Sequence, residues 1–207
     1  MTIVALDDKS KLRCMEGLRE RTRQAMRAEL AEIALRMFLE RGFEETTVDD
    51  IAREAGMSKR TFFRYFPSKE DVVFGDADDL GEQVAQEIRA RPPGEDPWES
   101  LRVVLGRWEG RIDACAQELA NLRLIESTPS LKARMQHKRD GLRRRIAEAV
   151  RDRPGAELDA FTAELLTGAA GAALDTVARE WMRSGGTADR AALLDRAFTL
   201  LAPAAKP

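Results

Sequence analysis

Cysteine is nearly absent from this chain. Cys14 and Cys115 stand alone and far apart, without the paired spacing of a metal site. That excludes a disulfide framework and fits a reducing, cytoplasmic setting. Histidine is scarcer still. His137 is the only one, set in the basic, solvent-facing stretch KARMQHKRDGLRRR. With one histidine, no paired ligands and no nucleophile elbow, the sequence offers no catalytic residue, no metal ligand and no cofactor site. No apolar run is long enough to cross a bilayer, and no signal-peptide pattern is present, so no membrane partner is expected. No segment alternates with the period of a strand, which leaves an all-α chain.

What is present is charge and helical periodicity. The 207 residues are 43% hydrophobic and 34% charged, the balance of a helix-rich globular protein with room for one or two cores. The net charge of −2 does not by itself point to nucleic acid. Its distribution is more telling. Residues 9–28 hold seven Lys/Arg against two Glu, residues 53–69 hold five against one, and acids gather at 76–96. A solvated helix face is the plain reading of either basic run, and a phosphate-facing surface is the other.

Residues 46–71, TTVDDIAREAGMSKRTFFRYFPSKED, decide between them. Thr47 is placed to cap a helix, with Asp50 at its N3 position. Val48, Ile51, Ala52 and Ala55 share one face of that helix, and Gly56 stands where the helix end wants a left-handed residue. Ser58 caps the next helix. Lys59, Arg60, Phe63 and Arg64 occupy one face of it, Phe62 and Phe66 the other, and Pro67 stops it. Upstream, Leu30, Ile33, Ala34, Met37 and Phe38 mark an amphipathic helix ending at Gly42. The outcome is a three-helix helix-turn-helix head, with Phe43, Val48, Ile51, Met57, Phe62 and Phe66 completing its core, and a partner in double-stranded DNA.

The rest reads as helix after helix, about nine in all. A flexible arm is expected over residues 1–17 (Met15 is an alternative start to Met1), the head over 18–67, and a second helical domain over 68–207. Residues 68–90 read as one helix, broken at RPPGEDP. Trp98 to Ile112, Leu119 to Ser127, Leu131 to Val150, Leu158 to Trp181 and a short Leu193 to Leu201 follow, with a frayed tail after Ala202.

The segment GLRERTRQAMRAELAEIALRMFLERGFEETTVDDIAREAGMSKRTFFRYFPSKEDVVFG, above all ERGF, TTVDDIAREAGMS, TxFxYF and PSKE in that order, resembles the TetR family of bacterial transcriptional regulators. TFFRYFPSKEDVVFGD, the RPPG linker and LRLIESTPSLKAR look like its subgroup with an acyl-CoA-like ligand-binding C-terminal domain, related to mycofactocin regulators. The resemblance implies a homodimer that sets two heads on a palindromic operator and acts as a repressor released by a small-molecule effector, acyl-CoA-like or otherwise hydrophobic. It implies DNA contacts at Thr47, Ser58, Lys59, Arg60, Thr61, Tyr65 and Lys69, with Thr47 and Lys69 on phosphates. Phe63 departs from the family pattern, where a tyrosine hydroxyl often reaches a phosphate. It is left to packing or a thymine methyl. Arg64 replaces a common histidine. Arg60 and Arg64 suit either a guanine edge, worth about 1–3 kcal/mol of discrimination, or a phosphate.

The family layout also implies a pocket lined by Phe74, Leu105, Trp108, Leu122, Ile125 and Met135, with Arg123 and Glu126 as polar anchors or a surface pair. It implies a dimer seam on the last two helices, with Phe161, Gly168, Gly171, Ala172, Trp181 and Phe198. Trp98, Trp108 and Trp181 suit a ligand pocket, while ordinary core packing is the commoner fate of any one of them. Two other readings stay open: a DNA-binding dimer without a physiological ligand, and a small-molecule-binding protein with no DNA.

Overall fold

The local rules of the sequence set where each helix begins and ends. The computed structural model describes residues 8–74, 77–110, 116–155 and 157–205, and among these the regular structure is helical throughout. Helix α1 (Asp8–Arg41) ends at Gly42, whose φ of +95° suits only glycine at no steric cost. Helix α2 (Val48–Glu54) and helix α3 (Lys59–Tyr65) follow, then a short α4 (Glu70–Phe74). Beyond come α5 (Ala77–Arg89), α6 (Pro97–Glu109), α7 (Ala116–Ser127), α8 (Pro129–Arg151), α9 (Ala160–Arg183) and α10 (Arg190–Ala205). Proline opens α6 and α8 at their first turn, where its missing N–H costs nothing.

The helix expected over 68–90 is described as α4 and α5, and residues 75–76 between them lie outside the described residues. These segments depart from the expected layout at both ends of the chain. Helix α1 takes in residues 8–17, assigned above to an arm, since KSKLRCMEGL contains no proline and mostly good helix formers. Residues 1–7 lie outside the described residues. The last helix is longer than expected and runs on to Ala205.

The chain divides into two compact units, Met1–Gly75 and Asp76–Pro207. The division falls after Gly75 rather than after Pro67 because α4 packs on α1 and belongs with the head. In the head, Leu30, Ala34, Met37, Phe38, Phe43, Ile51, Phe62 and Phe66 are buried as expected. Ile33, Val48 and Met57 are only half-buried, and Leu35, Ala52, Val72 and Val73 join the core. Phe38 meets Phe43 at 4.9 Å and Phe62 meets Phe66 at 5.9 Å between ring centroids. Thr46 is buried too. Its hydroxyl donates to the Gly42 carbonyl at 2.8 Å, satisfying a carbonyl that the end of α1 leaves open.

In the second unit α8 packs on α5, α7 and α9, and α10 packs on α6 and α9. One continuous core joins Val84, Ile88, Trp98, Leu101, Val104, Ile146, Val150, Leu166, Val177, Leu194 and Phe198. Trp98 stacks on Phe198 at 4.5 Å and donates its indole N–H to the Phe198 carbonyl at 3.1 Å. Arg153, at the end of α8, reaches back to the Glu95 carbonyl and the Ser100 hydroxyl. Glu95 in turn accepts from Arg91 and Ser100, which holds its carboxyl down to about 2. This polar staple fixes the α5–α6 linker against α8.

Candidate nucleic-acid interface and effector cavity

Two caps build the helix-turn-helix. The Thr47 hydroxyl accepts the Asp50 N–H at 3.2 Å, while the Asp50 carboxylate accepts the Thr47 N–H at 3.2 Å and its O–H at 2.5 Å. This reciprocal box satisfies donors that α2 would otherwise leave open. It also holds the Asp50 carboxyl below its ordinary range, chiefly through the Thr47 hydroxyl and then its N–H. At the turn, Gly56 has φ +65° and the Met57 N–H donates to the Ala52 carbonyl at 2.8 Å. Ser58 then caps α3, accepting the Thr61 N–H at 3.1 Å.

Phe62 and Phe66, at 0% and 2% exposure, anchor α3 by its inner face. The opposite face presents Ser58, Lys59, Arg60, Phe63 and Arg64 to solvent, while Thr61 and Tyr65 are half-buried. Phe63 is 43% exposed, with one edge against Phe62. A phenylalanine held out on a surface this polar is what a base edge or a thymine methyl would cover. The cations differ in how far they are committed. Lys59 Nζ is paired with Asp49 at 2.8 Å, and Arg64 donates to the Tyr65 hydroxyl at 3.3 Å. Among the described residues no carboxylate pairs with Arg60.

Lys69 sits apart from this face. Its ammonium donates to the Phe43 carbonyl at 2.7 Å and the Thr46 carbonyl at 3.1 Å, and lies 4.1 Å from the Phe43 ring centroid. It ties α4 to the α1–α2 loop, a role sequence reading missed. The signal was a lone lysine just ahead of a short apolar helix.

A cavity of about 390 Å³ opens among α5 to α10. Leu105, Trp108 and Leu122 line it, together with Leu142, Ile146 and Leu174. The other three expected lining residues do not. Phe74 is a buried residue of the head unit, Ile125 is 5% exposed within the packing of α7, and Met135 lies outside the wall, because these helices turn other faces to the cavity. Nor are Arg123 and Glu126 its polar anchors. Arg123 is exposed and Glu126 pairs with Lys132 at 2.7 Å.

The polar wall comes from residues the sequence did not single out. Arg190 Nε donates to Glu109, and its guanidinium lies 4.8 Å from the Trp181 ring centroid. Asp175 accepts Arg139 at 2.9 Å and Arg143 at 3.0 Å. Burial pushes the Glu118 carboxyl above its ordinary range, with Arg190 opposing and Glu109 adding to the shift. The available signal was a threonine and an aspartate, Thr167 and Asp175, at i and i+8 within the largely apolar LLTGAAGAALDTVA of α9. Gly171 belongs here rather than to a seam, since a Cβ on it would come within 2.7 Å of Arg143 Nε.

The dimer residues also divide. Trp181 and Phe198 are 1% and 0% exposed in the subunit's own core, so neither is free to bury across a seam. Phe161, at 74% exposure, and Ala172 are open, and a Cβ on Gly168 would meet no atom within 4 Å. Leu165, at 58%, extends this face, and Leu200 of α10 is also exposed, at 70%; sequence reading included neither. Phe161, Leu165, Gly168 and Ala172 follow i, i+4, i+7 and i+11, one stripe of α9.

Known proteins place this architecture. The model of bacterial regulatory proteins of the tetR family matches residues 30–74, and the MftR C-terminal domain matches residues 92–206. The HTH-type transcriptional regulator TcmR of Streptomyces glaucescens is 35% identical over 173 residues, which cover 80% of this chain and 76% of TcmR. The HTH-type transcriptional repressor KstR2 of Mycobacterium tuberculosis is 49% identical over 47 residues, 23% of this chain and 24% of KstR2. Among solved structures, the Thermus thermophilus repressor FadR in complex with lauroyl-CoA superposes with a TM-score of 0.52 at 25% identity. The match covers 85% of this chain and 93% of that one.

Proposed function

The chain belongs to the TetR family of bacterial transcriptional regulators, with a C-terminal domain of the MftR type, and from that premise we propose a homodimeric repressor released from a palindromic operator by a small hydrophobic effector. It is a DNA-binding helix-turn-helix protein. The observation that carries it is the conjunction, in one chain, of a capped α3 with an exposed Arg60–Phe63–Arg64 face and a second unit holding an apolar-walled cavity of about 390 Å³.

On DNA, Ser58, Arg60, Thr61 and Phe63 enter the major groove, with Arg60 reading a guanine edge and Phe63 covering a thymine methyl. Lys59 exchanges Asp49 for DNA. Thr47, Arg64, Tyr65 and the remaining N–H of Lys69 take phosphates. The exposed stripe Phe161, Leu165, Gly168 and Ala172, with Leu200 of α10, supports a seam between two copies. Two heads then meet half-sites about one DNA turn, roughly 34–36 Å, apart. An effector that binds the second unit better in a conformation with the wrong head spacing lowers operator affinity by its own difference in affinity for the two states. The name of lauroyl-CoA in the FadR complex supports a hydrophobic effector class here. A role without catalysis accords with relatives named as regulators.

A gel shift with the intact protein on the intergenic DNA beside its own gene tests the reading. Specific retardation that a hydrophobic effector reverses is expected. Absence of specific retardation at low salt would overturn it.

A further inference from the structure

Helix α2 carries three acids, and two of them hold the helix in place. Asp50 closes its cap on the Thr47 N–H and hydroxyl, and Arg53 stands 3.3 Å from it. Glu54 pairs with Arg36 of α1 at 3.3 Å. Asp49 does neither. Among the described residues its partner is Lys59, the first residue of α3, whose Nζ donates to Asp49 Oδ2 at 2.8 Å.

The cap of α2 does not need Asp49, because Thr47 and Asp50 already complete it. The pair adds little to the fold either. Lys59 and Asp49 are 54% and 56% exposed, and an ion pair so open to water contributes little. What the pair does change is the charge of the face proposed to meet DNA. Lys59, Arg60 and Arg64 are the cations there, and among the described residues Lys59 alone of the three is held by a carboxylate. A phosphate that takes Lys59 must displace Asp49, and it then lies beside a bare carboxylate of its own sign. A lysine on a phosphate releases one condensed counterion, and the bared carboxylate draws one back.

We propose that Asp49 is a built-in competitor of DNA: it holds Lys59 in the free protein and weakens every duplex complex, whatever its sequence. The proposal rests on the reading of α3 as the DNA-facing helix. The effect is independent of sequence because it acts through phosphates, which carry no base information. It leaves discrimination to Arg60 and Phe63, and it shortens the time spent on random DNA, whose binding is almost wholly electrostatic.

Asp49→Asn in the full-length protein keeps the side-chain shape and removes only the charge. Fluorescence anisotropy over a range of salt compares it with the wild type on a duplex enriched from a random library and on a scrambled duplex. At low salt Asp49→Asn should bind both duplexes about 3- to 10-fold more tightly for each head engaged, and its slope of log K against log salt should be steeper by about 0.9 per head. The ratio between the two duplexes should stay within about 2-fold of the wild-type ratio. Damage to the fold would weaken binding, so it cannot produce this sign. Lys59→Met keeps the apolar stem, and in that background the gain from Asp49→Asn should shrink by at least about 2-fold. The proposal is overturned if Asp49→Asn binds no more tightly than the wild type, if the gain is confined to the enriched duplex, or if it persists in full beside Lys59→Met, since Asp49 would then act on DNA without Lys59. In each of these cases the wild type still binds its duplex and the regulator reading stands. If neither protein binds any duplex, both fall.

Discussion

Replacing Lys69 with methionine separates two roles that one ammonium is asked to fill. Met keeps the apolar stem and removes only the charge and its donors. The wild-type ammonium makes bonds of 2.7 and 3.1 Å to the Phe43 and Thr46 carbonyls and lies 4.1 Å from the Phe43 centroid. A hydrogen bond to a charged group contributes about 1.5–3 kcal/mol, and an exposed cation–π contact about 0.5–1 kcal/mol. Lys69 is half-buried, so water recovers part of this, and about 2–3 kcal/mol is the expected loss. Amide hydrogen exchange on the intact chain reads it locally. Protection across residues 42–47 should fall on the order of 30- to 100-fold. Salt titration of operator binding reads the other role, because a lost phosphate contact lowers the slope of log K against log salt by about 0.9. Lys69→Met should therefore loosen the α1–α2 loop and shift the slope by no more than one phosphate. Unchanged exchange across residues 42–47 would refute the reasoning, since Lys69 would then not be holding that loop.

Other consequences follow from the same geometry. Phe198→Ala should cost about 3–5 kcal/mol in chemical denaturation, because it empties the site against Trp98; an unchanged midpoint with a weaker dimer would return Phe198 to the seam. Phe161→Asp with Leu200→Asp should leave thermal stability nearly intact and raise the dimer dissociation constant at least about 100-fold in light scattering, given about 1.5–3 kcal/mol per large apolar side chain buried. The Glu95 carboxyl is held down from 4.5 to about 2 in the folded protein, chiefly by Arg91. Its contribution is therefore complete above about pH 4.5 and lost as pH falls toward 2. Thermal melts between those values should be flatter for Glu95→Gln than for wild type. Arg60→Ala should flatten discrimination at one base pair by about 1–3 kcal/mol in a competition assay.

The head was largely legible because its signals are local. Thr47 with Asp50, Gly56, and Ser58 ahead of Thr61 each fix a helix end through neighbours within a few residues, and the structure keeps every one of those bonds. The tie that Lys69 makes was not legible because its partners, Phe43 and Thr46, lie more than twenty positions upstream. The cavity was half legible. Leu105, Trp108 and Leu122 came from the family layout, but its polar groups arrive from α6, α7, α8, α9 and α10, and no spacing along the chain joins Glu109 to Arg190. Trp181 and Phe198 were placed at a seam for a related reason. An aromatic on an amphipathic helix reads the same whether its own subunit or a partner covers it.

The central claim is that the exposed face of α3 reads a palindromic DNA sequence. Selection by the purified full-length protein from a random duplex library, followed by fluorescence anisotropy on the enriched sequence over a range of salt, tests it most directly. An inverted repeat should emerge, bound more tightly than a scrambled duplex by about 10³-fold or more, with affinity falling steeply as salt rises. No enrichment over random duplex at low salt would contradict the account.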